Sequence, residues 1–147
     1  MSVLNEKDRE IMKQLRKNAR VSLTDVAADI GMPTSTVYDR VRRAEKRIIH
    51  KHTTLLDFNK MGFNGRTTVA FKLSASAVQP ALAYLKAHPN VNTLYRVNHG
   101  FDFLAELVFP NLAVLHDFLD DFGQQFQVIN QQIFTIIDDI KREEFVP

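Results

Sequence analysis

Gly31-Met32-Pro33 restricts the fold of this chain more than any other feature, because it stops one helix and starts another within three residues. Glycine accepts the left-handed backbone that ends a helix, and proline suits a helix start, where its missing N–H would have gone unpaired anyway. Before it, Ser22-Leu23-Thr24-Asp25 has a capping-box pattern, and Leu23, Val26, Ala27 and Ile30 recur at helical spacing. After it, a longer helix is predicted from about Pro33-Thr34 to about Arg47, with Val37, Val41, Ala44 and Ile48 as its buried side. A first helix precedes both: Asn5-Glu6-Lys7-Asp8 reads as its cap, Leu4, Ile11, Met12 and Leu15 as its apolar stripe, and it fades at Asn18-Ala19-Arg20. A short helix, a glycine turn and a longer helix opening on small polar residues make a helix-turn-helix pattern over residues 23–42.

The outward side of the third helix carries Thr34, Ser35, Tyr38, Asp39, Arg42, Arg43 and Lys46. Hydroxyls and a tyrosine near its start can reach base edges in a DNA major groove, while Arg42, Arg43, Lys46 and Arg47 farther along can neutralise phosphates. The charge distribution agrees. The net charge is only +2, yet residues 1–66 hold 14 Lys+Arg against 8 Asp+Glu, and residues 67–147 hold 5 against 9. A basic half joined to an acidic half suggests that one part meets a polyanion and the other does something else. The chain has no cysteine, which excludes disulfides and thiolate metal sites. No apolar run approaches the ~20 residues of a membrane span. The residues Met1 to Lys7 lack an apolar signal region, so a cytoplasmic protein is expected.

After Arg47 the pattern changes. Residues 48–57, rich in β-branched side chains, read as a linking strand, and residues 59–65 as a turn at a domain boundary. His50 and His52 share one face of that strand, but no third ligand stands near, and they read as a surface pair rather than a metal site. Alternating elements follow: strand 67–73, helix 76–88, strand 91–98, strand 101–109, a helix opening at Pro110-Asn111, and a final strand 128–141. The order β-α-β-β-α-β is that of a ferredoxin-like domain, an antiparallel sheet with two helices on one face. Its open face needs a cover, for which a second copy is the usual solution, so a homodimer is expected. Asp138-Asp139 and Glu143-Glu144 read as a solvated edge. The expected fold is therefore α+β: a three-helix helix-turn-helix domain of winged type over 1–50, a linker strand and hinge over 51–66, and a ferredoxin-like domain for dimerisation and effector binding over 67–147.

Catalysis is not expected. An acylphosphatase-like hydrolase on such a sheet needs a phosphate cradle with an arginine, and Ser74-Ala75-Ser76 supplies neither a glycine-rich turn nor an arginine. No Ser/His/Asp set or close carboxylate pair stands out, and neither cofactor nor metal is implied. The competing reading is an architectural DNA-binding protein with little sequence preference, which shares every residue above and differs only in its specificity ratio.

Several segments resemble the Lrp/AsnC (feast/famine) family of bacterial and archaeal regulators. They are Asp8-Arg9-Glu10-Ile11 with Leu15, Asn18 to Ser22, Val26-Ala27, Ile30-Gly31, Ser35-Thr36-Val37, Arg40 to Arg43 with Glu45, Leu56-Asp57, Met61-Gly62-Phe63 and Gly100-Phe101-Asp102. The resemblance implies that Thr34, Ser35, Thr36, Tyr38 and Asp39 face bases, that Arg40, Arg42 and Arg43 face the DNA backbone, and that Ser22 caps the second helix near a phosphate. It further implies a C-terminal domain that dimerises and dimers that often join into octamers; a tetramer is the other assembly expected. It implies an amino-acid effector between dimers near His99, Gly100, Phe101, Asp102 and Ile133. This chain departs from the family pattern at several points. Pro33 replaces a serine cap, which leaves capping to Thr34, and Ala44 replaces a leucine. The glycine usual after the recognition helix is missing between Arg47 and Ile48. His99-Gly100 replaces Gly-Asp in the effector turn, and Ile133 replaces a threonine.

Overall fold

A computed structural model describes residues 4–147. It divides the chain into two compact units, one of Met1–Leu55 with Ile140–Pro147 and one of Leu56–Asp139.

The first unit holds α1 (Glu6–Lys17), α2 (Leu23–Ile30) and α3 (Thr34–Arg47). Both ends of the expected Asn5/Asp8 capping box form: the Asp8 N–H donates to Asn5 Oδ1 at 2.9 Å, and the Asn5 N–H to Asp8 Oδ2 at 3.4 Å. The apolar stripes meet as expected. Ile11, Met12, Val26, Ala27, Val37, Val41 and Ala44 are buried together, with Leu4, Leu15, Leu23 and Ile30 packed around them. The tail belongs to this unit: Arg16 of α1 donates from Nε to the carbonyl of Phe145 and from Nη2 to that of Glu143, both at 2.8 Å. The expected linking strand and wing do not form, since residues 50–57 carry no ladder. β-branched composition favours an extended backbone, but a strand exists only where a neighbour pairs its N–H and C=O groups.

The second unit contains β1 (Gly65–Leu73), a 3-10 turn (Ala75–Ala77), α4 (Val78–Ala87), β2 (Val91–Arg96), β3 (Phe103–Phe109), α5 (Leu112–Phe126) and β4 (Val128–Thr135). The strands form one antiparallel sheet in the order β2-β3-β1-β4. This is the expected ferredoxin-like topology. Alternation along the strands sends Val69, Phe71, Leu73, Phe103, Ala105 and Leu107 to one face. Ala81 and Leu85 of α4 and Leu115, Phe118, Leu119, Phe122 and Phe126 of α5 cover that face. Gly65 is required by close approach, because a Cβ there would meet the Asn111 carbonyl oxygen at 2.5 Å. The final strand ends at Thr135 rather than 141, and the first helix of this unit begins as a 3-10 turn.

Asp139, expected as a free solvated edge residue, is exposed but paired. It receives Arg66 Nη1 at 2.6 Å on each carboxylate oxygen, while Arg66 Nη2 donates to Glu106 at 2.9 Å.

His88 sits at the end of α4 among the rings of Phe118 (4.8 Å), Tyr84 (5.6 Å) and Phe109 (6.2 Å), and its Nδ1 accepts the Asn90 N–H. Burial pushes its pKa below the usual histidine value. A group with a depressed folded pKa takes up a proton more readily when the chain unfolds. Its stabilising contribution is therefore whole above the unfolded value of about 6.5 and is lost as pH falls below it. Thermal unfolding followed from pH 7.5 down to pH 5.5 is expected to show a falling Tm that flattens in His88→Gln; equal slopes in both proteins would refute this role.

Candidate DNA-binding surface

The geometry of the helix-turn-helix rests on local backbone chemistry. Ser22 Oγ accepts the Asp25 N–H at 3.0 Å and so opens α2. Gly31 ends it in the left-handed region at φ 65°, its N–H reaching back to Ala27 and Ala28. Pro33, at φ −60° and ψ 139°, is itself the N-cap of α3 and supplies no side-chain hydrogen bond. Thr34 therefore does not cap. It is already the first helical residue, past the position from which a hydroxyl can fold back onto the third N–H. The consequence is an uncapped helix start at the surface, with open N–H groups and the positive end of the helix dipole available to an anion.

The side chains of α3 sort by angle. At about 100° per residue, Arg42, Ser35, Lys46 and Asp39 fall within about 60° of one another, opposite the buried stripe of Val37, Val41 and Ala44. All four are exposed. Thr34 and Tyr38, the latter 56% exposed, flank this arc on one side, and Arg43 flanks it on the other. Arg42 and Lys46 have no acidic partner among the described residues, whereas Arg43 Nε makes a long contact of 3.4 Å to the Asp39 carbonyl. Thr36 is half-buried on the far side of the arc.

Arg40 stands apart from the others. Its Nη1 donates to Asp8 Oδ1 at 2.6 Å and to Asn5 Oδ1 at 3.2 Å, which ties α3 to the cap of α1. The sequence presents Arg40 as one more cation on a basic helix. The capping Asp8 that binds it lies 32 residues away, and no local pattern connects the two. His52 likewise contacts Glu45 Oε1 at 3.2 Å rather than standing paired with His50.

In the second unit, His99 (φ 58°) and Gly100 (φ 87°) occupy the centre of the β2–β3 hairpin, both in the positive-φ region that a tight hairpin turn demands. Asp102 closes this turn. Its Oδ2 accepts the Leu73 N–H at 2.8 Å, its N–H donates to the Phe71 carbonyl, and Lys72 Nζ lies 3.6 Å from Oδ1. Phe101 is half-buried beside it. Ile133 pairs with Val69 on the other side of β1, so one strand separates it from the turn.

A helix-turn-helix followed by a ferredoxin-like unit defines a class of two-part DNA-binding regulator. The AsnC-type helix-turn-helix family model matches residues 4–45. The chain is 25% identical over 122 residues to the transcriptional regulator FL11 of Pyrococcus furiosus, covering 82% of this chain and 81% of that one. It is 24% identical over 136 residues to LrpC of Bacillus subtilis, covering 92% and 94%. The solved structure of Escherichia coli AsnC superposes with a TM-score of 0.87 at 19% identity, covering 99% of this chain and all of that one, a likeness of fold. Residues 4–45 thus match an AsnC-type helix-turn-helix domain, and along most of its length the chain is similar to transcription regulators of the AsnC/Lrp family. Among the described residues no helix is long and apolar enough to cross a membrane.

Proposed function

We propose that this chain is a sequence-specific regulator, dimeric or higher, acting in the cytoplasm and tuned by an amino acid or a related small ligand. The observation that carries the specific half is the mixed character of the α3 surface. Ser35, Asp39 and Tyr38 can discriminate base edges, while Arg42, Arg43 and Lys46 beside them can hold phosphates. Thr34 and the uncapped helix start, with Ser22 one helix earlier, fit further phosphate contacts. Arg40 positions α3 against α1, and Thr36 contributes from the flank.

Self-association is supported by the sheet face opposite α4 and α5, where Tyr95 and Phe134 are 57% and 53% exposed. A ligand role draws on a related regulator of Neisseria meningitidis whose structure was solved in complex with L-Met, 17% identical to this chain. Here the His99–Asp102 turn holds its shape through Asp102, and Ile133 offers an apolar wall where the family pattern has a hydroxyl.

The test of specificity is a titration of promoter DNA from the protein's own gene against random DNA of equal length at one salt concentration. A preference of about a thousandfold or more is expected. Equal affinities would overturn the regulator reading in favour of an architectural protein.

A further inference from the structure

A cleft of about 150 Å³ opens between the start of α1 and the second half of α3. Its apolar walls come from Leu4, Ile11, Met12, Ala44 and Ile48, and its polar rim from Arg40, Arg43 and Arg47, with Asn5 and Asp8. The three arginines stand at successive turns on the α1-facing flank of α3, clear of the arc of Ser35, Asp39 and Arg42. Asp8 is already engaged by Arg40 Nη1, and it is the one acid on the rim, so the cleft keeps a positive excess. Among the described residues Arg40 Nε is buried without a hydrogen-bond partner. Arg47 is exposed and has no acidic partner among the described residues. Apolar walls under a rim of uncommitted cations fit an anion that carries an apolar body.

We propose that this cleft binds a small organic monocarboxylate with a short apolar body. The carboxylate would sit on Arg43 and Arg47, and the hydrocarbon would rest against Met12 and its neighbours. Three features select this chemistry. The arginine forks match a planar carboxylate. The cleft volume of about 150 Å³ matches a body the size of benzene. A free phosphate would leave the apolar walls in water, and an amino-acid zwitterion would bring a second cation to a rim already rich in them. The site is distinct from the His99–Asp102 turn. Resting on the reading of Arg43 as a phosphate contact, it also couples to DNA, because an acid held on Arg43 withdraws that side chain from the DNA backbone.

The experiment uses full-length protein carrying ¹³C-methyl methionine. Met12 lines the cleft and Met61, in the other unit, serves as the internal control. The probes are 4-methyl-2-oxopentanoate, leucine and inorganic phosphate. The keto acid is expected to shift the Met12 methyl saturably with a Kd around 1 mM, to leave Met61 in place, and to bind about tenfold more weakly to Arg47→Gln. The absence of a saturable Met12 shift, an equal response to phosphate or leucine, or an unchanged Kd in Arg47→Gln would each overturn the site. In a separate arm, the keto acid should weaken DNA binding of the unmodified protein and leave that of Arg47→Gln nearly unaffected. A Met12 shift with unaltered DNA affinity would overturn the coupling alone. Failure to bind specific DNA would count against the regulator reading without touching the Met12 result.

Discussion

Replacing Arg42 and Arg43 together by alanine is expected to weaken DNA binding on the order of a hundredfold near physiological salt, about uniformly across sequences. Both side chains are exposed on α3, and among the described residues neither is held in an ion pair. Each arginine that neutralises a phosphate releases condensed counterions and contributes about −0.9 to the slope of log affinity against log salt. A dimer loses two such contacts per protomer, so the slope should become shallower by between 3 and 4, roughly. Because neither residue contributes to the buried stripe, Tm should hold, which separates a lost contact from a lost fold. Substituting Tyr38 or Ser35 should do the reverse, shifting sequence preference while leaving the slope nearly constant. If the double arginine variant altered preference and kept its salt slope, the assignment of phosphate and base roles would be reversed.

Arg66→Ala should destabilise the second unit by about 3–5 kcal/mol, the usual cost of breaking a buried ion pair from one side. The Arg66 side chain is only 10% exposed, and its guanidinium also lies over the Phe58 ring at 5.5 Å. Burial disfavours its charge, but hydrogen bonds to Asp139 and Glu106 outweigh that penalty and hold its pKa above the ordinary arginine value. Alanine would leave Glu106, 19% exposed, without its cation in a poorly solvated place, whereas Asp139, 40% exposed, would be partly rescued by water. The deficit should therefore shrink as pH falls through the carboxylate range, since protonation removes the unpaired charge. Urea unfolding at pH 7 and pH 4 measures both quantities. Arg66→Met/Glu106→Leu should recover much of the loss at pH 7, and a double variant no more stable than Arg66→Ala would show that packing, not charge, sets the cost.

The helix-turn-helix was readable because its determinants are local. Asn5 and Asp8, Ser22 and Asp25, and Gly31 and Pro33 act within one turn of chain, and the 3.6-residue period marks which face is buried. The β-α-β-β-α-β order was readable for the same reason, since alternation and turn residues punctuate each segment. Residues 48–57 misled because strand composition describes a preference, while a strand is a pairing. Thr34 misled because one residue of helix register separates a capping hydroxyl from an exposed one.

The sequence by itself determined the order of the helices and of the sheet strands, which faces they bury, and which helix carries hydroxyls and arginines on its outer side. The tertiary structure alone decided which charges remain free to act. Arg40 is drawn to Asp8 across 32 residues, Asp139 to Arg66 across 73, and the tail carbonyl of Phe145 to Arg16 across 129. A charge pairs with whatever the fold places within a few ångströms, and sequence separation carries no information about that distance.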